Sequence, residues 1–172
     1  MTRMIKNQQI IEDNWVLLKG AESDKLQELS TSDLIIPLHS WLQWQKEGPQ
    51  GGQQLNRPGR IAVWLDSHEL PAQLGNSLHK LEMIALNFPV FRDGRPYSSA
   101  RELRQNFAFK GDIRAVGDVL RDQLFYMQRC GFTEFAMRED QNLQQALTAF
   151  EDFHEGYQSS IDRPLPLFRR RA

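Results

Sequence analysis

Fifteen of the 21 basic residues in this 172-residue chain are arginine, and seven of those lie between Arg92 and Arg129. A guanidinium is a planar donor fork that matches a carboxylate, a phosphate or another oxyanion. In parallel α/β sheets, ligand-binding groups gather at the carboxyl ends of the strands. Applied to the predicted strands, that rule selects Asp66, Asn87, the turn from Arg92 to Arg95, the segment from Arg114 to Asp118, and Arg138. Arg114 and Asp118 are four residues apart across a predicted strand-to-helix turn, so both could face one crevice, with Arg95 joining from the preceding loop. The expectation is that Arg95, Arg101, Arg114, Asp118 and Arg121 contribute to a site for a small anion or an acidic partner. The alternative is purely structural: Arg114 paired with Asp118, and Arg101 or Arg104 paired with Asp122, each holding one helix against the next.

Other chemistry-bearing residues come without partners at a telling spacing. Cys130 is the only cysteine, which excludes an intrachain disulfide and a cysteine-only zinc or iron–sulfur site. It falls at a predicted helix C-terminus, where the dipole opposes a thiolate, so a structural role is expected. His68, two residues after Asp66, lies just past a predicted strand end and is the most suggestive histidine; a solvated loop residue is the plainer reading. The four histidines show no metal-ligand spacing, and no metal site is assigned. Tyr97 and Tyr126 could serve acid–base chemistry, but no Ser/His/Asp or paired-carboxylate set accompanies them. Gly48 to Gly59 is rich in Gly, Pro and Gln, yet lacks the patterns of a phosphate-binding loop and reads as a connector.

The formal net charge of −1 gives the molecule no overall field for nucleic acid or an anionic membrane. The sequence has no long apolar run, and Met1–Lys6 lacks the apolar core of a signal peptide, so a cytoplasmic protein is expected.

The elements that must position these residues follow from periodicity. Met4–Lys6 and Ile10–Leu18, around Asn7-Gln8-Gln9, suggest a hairpin. Asp33–Leu38 is extended and residues 39–47 form a short helix. From Arg60 onward strand and helix alternate: strands at Ile61–Leu65, Met83–Leu86, Gly111–Val116 and Phe132–Met137, with helices at 69–79, from Ser98 or Ser99 onward, 119–129 and 141–153. Ser99 with Glu102 fits a capping box, Asp118 an N-cap, and Gly131 a left-handed C-terminal residue. The expected fold is α/β, with four β-α units making a mostly parallel sheet or half-barrel and an N-terminal β-hairpin available as an antiparallel edge. The sequence thus divides into one domain over residues 1–155 (hairpin and short helix 1–59, β-α core 60–155) and a C-terminal tail over 156–172, read as solvated.

The motifs F-P-V-F-R-D-G-R-P-Y-S-S-A-R-E-L-R at 88–104 and G-D-I-R-A-V-G-D-V-L-R-D-Q-L-F-Y-M-Q-R-C-G-F at 111–132, with I-I-E-D-N-W near the N-terminus, resemble a bacterial family known as domain of unknown function 934. The resemblance implies an oxidoreductase, or an oxidoreductase subunit, of assimilatory sulfite reduction, a label that follows gene neighbourhood and carries no catalytic residues or cofactor with it. The alternative it allows is a non-catalytic accessory protein that binds sulfite reductase or a small oxyanion through the arginine-rich segment.

Overall fold

The computed structural model describes residues 2–19, 31–47, 58–153 and 158–170. The connector predicted over 48–59, and the loop predicted over 20–32, lie largely outside them.

Eight strands form one sheet: β1 Thr2–Lys6, β2 Gln9–Asp13, β3 Trp15–Leu17, β4 Asp33–Pro37, β5 Ile61–Leu65, β6 Met83–Phe88, β7 Asp112–Gly117 and β8 Glu134–Phe135. Their order is β2-β1-β8-β7-β6-β5-β4-β3. From β3 to β8 every pairing is parallel, while β1 runs antiparallel to both β8 and β2. The predicted hairpin is present, turned by Asn7 and Gln8 at positive φ, and it extends the sheet beside β8. Its second strand does not stop at the hairpin. After Asn14 the chain continues as β3 at the far edge, so the two edge strands are consecutive in sequence. The sheet curls until those edges nearly meet, giving a small barrel-like ring rather than four simple β-α repeats.

Alternation along each strand sorts side chains into two cores. Leu34, Ile36, Val63, Leu65, Ile84, Leu86, Phe88, Ile113 and Ala115 face outward onto the helices, with Leu103, Leu124 and Met127. Ile35, Ala62, Met83, Ala85 and Val116 face inward, beside Trp15, Leu17 and Trp64. The alanines leave room for the two indoles and for Arg114, as a narrow ring requires.

Among the described residues the helices are α1 Leu38–Glu47, α2 Arg95–Gln105, α3 Leu124–Cys130, α4 Leu143–Ala146 and α5 Leu167–Arg170. Several predicted helices are shorter or of a different type. Pro71–Lys80 is a 3-10 stretch broken at Gly75, whose φ of 53° is not helical. A 3-10 turn, Arg121–Gln123, precedes α3, and another, Leu147–Glu151, follows α4. α2 begins at Arg95, well before Ser99, and makes no side-chain cap. The predicted capping box therefore does not form; Asp93 instead accepts the backbone N–H of Arg95 at 3.1 Å. Asp118 is not an N-cap either, because the following turn starts at Arg121. Gly131 does end α3 in the left-handed conformation, at φ 107°. Part of the predicted tail is tied down: Ser160 Oγ donates to the Arg129 carbonyl at 2.6 Å and the Ile161 N–H to the same oxygen at 3.2 Å.

Candidate functional site

The carboxyl ends of the strands do collect polar groups, and short loops lock them together. Asn87 Nδ2 donates to Asp66 Oδ1 at 2.9 Å, and Arg95 Nη2 to Ser67 Oγ at 2.8 Å. The Phe91 N–H donates to Asp118 Oδ2 at 2.8 Å, and Arg138 Nη1 to Asp118 Oδ1 at 2.7 Å. His68 Nδ1 lies 3.4 Å from Asp66 Oδ2. Asp66, His68, Asn87, Arg95, Asp118 and Arg138 thus reach this end together. The charges of Arg95, Asp118 and Arg138 are spent on carboxylates and guanidinium groups close by. Arg95 holds the Asp93 carboxyl well below the usual carboxylate range, and Asp140 with Asp118 raises Arg138.

Arg114 is not among them. On β7 it shares the inward phase with Asp112 and Val116, and its side chain goes to the opposite mouth of the ring. There Nε donates to Glu134 Oε2 at 2.6 Å and Nη1 to both oxygens of Asp13 at 3.1 Å. Arg121 sits elsewhere again, on Asp152 and Thr148 at the outer helices. Arg95, Arg114 and Arg121 therefore line no common crevice, and Arg114 does not pair with Asp118. Arg101 is half-buried on α2. Arg104 pairs with no carboxylate among the described residues: it donates to the carbonyls of Phe109, Gly111 and Gly131, closing the turns that flank α2 and α3.

Strand register explains the mouth. Arg114 on β7 stands opposite Glu134 on β8, and Glu134 stands opposite Lys6 on β1, so cation, anion and cation occupy one row across three strands. Lys6 Nζ is 2.8 Å from Glu134 Oε1 and 2.6 Å from Asp112 Oδ2. A third cation, Arg60, enters from the residue before β5, bonded to Asp33 and Glu82 and stacked 4.8 Å over the Trp15 ring. Together these groups border a cavity of about 190 Å³ at the amino ends of the parallel strands. Its cations are Lys6, Arg60 and Arg114; its carboxylates are Glu12, Asp13, Glu82, Asp112 and Glu134.

Two features mark this mouth as more than a structural ion pair. Arg114 is 1% exposed, yet its Nη2 has no hydrogen-bond partner among the described residues. A buried guanidinium donor left without an acceptor is costly, and native proteins rarely leave one so. The second is protonation. Burial pulls Lys6 down, but Asp112 and Glu134 outweigh it and raise the ammonium above its ordinary value. Burial pushes Asp112 up, but Lys6 and the Thr133 hydroxyl outweigh it and hold the carboxyl low. Arg60 is likewise raised, chiefly by Asp33. These charges are fixed near neutral pH, a condition suited to recognition rather than to proton shuttling.

Of the remaining candidates Tyr126 is exposed, whereas Cys130 and Tyr97 are drawn into the packing. Cys130 is fully buried and burial pushes its thiol up. Tyr97 stacks against Phe88, Tyr126 and Phe132, and burial takes its hydroxyl to about 12. The sequence carried a partial signal for the mouth: Arg114 is a charge in the middle of a mostly apolar strand, whereas Lys6 and Glu134 stand at strand ends. Only the register between β7, β8 and β1 shows that the three are neighbours.

The family model described as bacterial protein of unknown function (DUF934) matches residues 62–168. The match takes in Asp112, Arg114 and Glu134, whereas Lys6, Asp13, Trp15 and Arg60 precede it. No curated protein and no solved structure matches the chain.

Proposed function

We propose that this chain, which belongs to the DUF934 family of bacterial proteins of unknown function, is an accessory protein of cytoplasmic assimilatory sulfite reduction that acts by binding rather than by carrying electrons. The pathway rests on the family resemblance. The binding role rests on one observation: a fully buried arginine, in the wall of a cavity at the ring's mouth, whose Nη2 has no partner among the described residues. A guanidinium stays charged throughout the physiological range, so Arg114 serves as a donor for a ligand and not as an acid or base. The only thiol offers no competing chemistry, being buried and held protonated. Among the described residues no helix is long and apolar enough to cross a membrane.

The test is a reconstitution with sulfite reductase. The purified chain is expected to be colourless, to co-purify with the reductase and to change its rate of sulfite turnover. A chain that purifies with a flavin or heme absorbance band and reduces sulfite by itself would establish the oxidoreductase reading in place of this one. A chain that neither binds the reductase nor alters its rate would remove the accessory role.

A further inference from the structure

We infer that the mouth around Arg114 takes a small cationic amine that also carries a neutral acceptor oxygen, a ligand class that rests on the binding role proposed above. Charge balance gives the first half of the argument. The cavity is bordered by three cationic and five anionic side chains, a surplus of two negative charges. Each cation is already committed: Lys6 to Asp112 and Glu134, Arg60 to Asp33 and Glu82, Arg114 to Glu134 and Asp13. A bare oxyanion would meet Arg114 beside two carboxylates that hold it more closely, and would be repelled by the rest. A protonated amine meets the surplus directly, near Glu12 and Asp13.

The second half comes from Nη2. This donor lacks an acceptor among the described residues, while the charge of its guanidinium is already balanced twice over. A carbonyl or hydroxyl oxygen satisfies it without adding a third anion to the cluster. One face of Trp15 is already taken by the Arg60 guanidinium, 4.8 Å from the ring centroid. At about 190 Å³ the space equals roughly six waters at liquid density, enough for a molecule of a few heavy atoms.

The experiment follows the Trp15 indole by ¹H–¹⁵N NMR in the full chain at neutral pH and low salt. Glycinamide and ethanolamine, which pair an ammonium with a neutral oxygen, are expected to shift it saturably. Ethylamine, lacking the oxygen, is expected to bind at least fivefold more weakly, and glycine and sulfite not to saturate. Glu12→Gln and Glu82→Gln alter exposed rim carboxylates without touching the buried cluster. Each is expected to weaken glycinamide roughly two- to fivefold, an effect that fades as salt screens it. In Arg114→Met, glycinamide should lose its advantage over ethylamine; if that variant does not fold, the two rim variants carry the test. Saturation by sulfite with no response to the amines would overturn the ligand class while leaving a binding protein. No response to any probe, or amine binding indifferent to both rim variants, would overturn the site, whereas the reductase assay alone decides the accessory role.

Discussion

Arg114 occupies the inward phase of β7, and its three bonded carboxylate contacts come from residues 20 and 101 positions away. Long-range pairing of this kind makes a truncation severe, because it strands the partners as well as removing the donor. Arg114→Ala should destabilise the chain by about 3–5 kcal/mol in urea unfolding, since Glu134, 4% exposed at its side chain, would keep only Lys6. Arg114→Lys should recover part of that loss, as one ammonium cannot reach both Glu134 and Asp13 in the fork geometry. An Arg114→Ala protein as stable as the parent would show the cluster to be structurally idle. Cys130 makes the opposite case at the same scale. Its raised thiol and full burial predict slow alkylation by iodoacetamide in the native protein and rapid alkylation once urea unfolds it. Fast native alkylation would contradict the packing around α3.

Between strands and helices, two junctions hold the architecture. Gly117 ends β7 at φ 94°, and a Cβ there would lie 2.7 Å from Asn87 Oδ1 and closer still to the Phe88 carbonyl oxygen. Gly117→Ala should cost roughly 1–3 kcal/mol from backbone conformation alone, with the clash adding to it, and should loosen the loop in which Asp118 holds Phe91. Arg104 is the other junction. Arg104→Ala should cost about 2–3 kcal/mol in chemical unfolding by leaving the carbonyls of Phe109, Gly111 and Gly131 without a charged donor.

These junctions also mark how far the sequence could be read. The apolar runs of β5 and β6, the hairpin turn at Asn7 and Gln8, and the left-handed Gly131 follow from local pattern and hold. The Ser99 capping box fails because Pro96, one residue after Arg95, starts α2 a full turn early, with its fixed φ suited to a first helical turn. The helix over 69–79 fails at Gly75, whose positive φ interrupts a stripe of leucines that is otherwise helical in spacing. The carboxyl-end rule places Asp66, Asn87, Arg95 and Asp118 at one end of the sheet, where the structure has them, while the candidate cavity opens at the other end. The rule misplaced Arg114 because a residue's end of the sheet depends on how deep it sits in its strand, and its partners depend on register. Neither is written in one strand alone.

For the molecule as a whole, the ion pairs fix a stability plateau with two edges. Asp112 and Asp93 have folded-state carboxyls held below their ordinary 3.8, so their contribution is full above about pH 4 and is lost as pH falls through the folded values. Lys6 is raised above its ordinary 10.5, so its contribution is full below that value and is lost as pH rises through the folded one. The urea midpoint should therefore be flat around neutrality, fall below about pH 4 and fall again in strong alkali. Asp112→Asn should lower the neutral plateau and flatten the acid limb; an acid limb unchanged from the parent would mean that other groups control it.

The passage of the chain through Asn14, from one rim of the sheet to the other, has a consequence for how the protein keeps to itself. An open parallel sheet offers two rows of unpaired backbone groups to any neighbouring chain, a standing invitation to strand-by-strand aggregation. Here a single segment, β1 through β3, lies along β8 on one side and β4 on the other, and brings its own ends round toward each other. Removing residues 1–17 would bare β8 and β4 at once. Such a chain should scatter light and sediment as aggregates under conditions where the intact chain stays dispersed, so the same residues that furnish Lys6 and Asp13 to the mouth also guard the fold against its own copies.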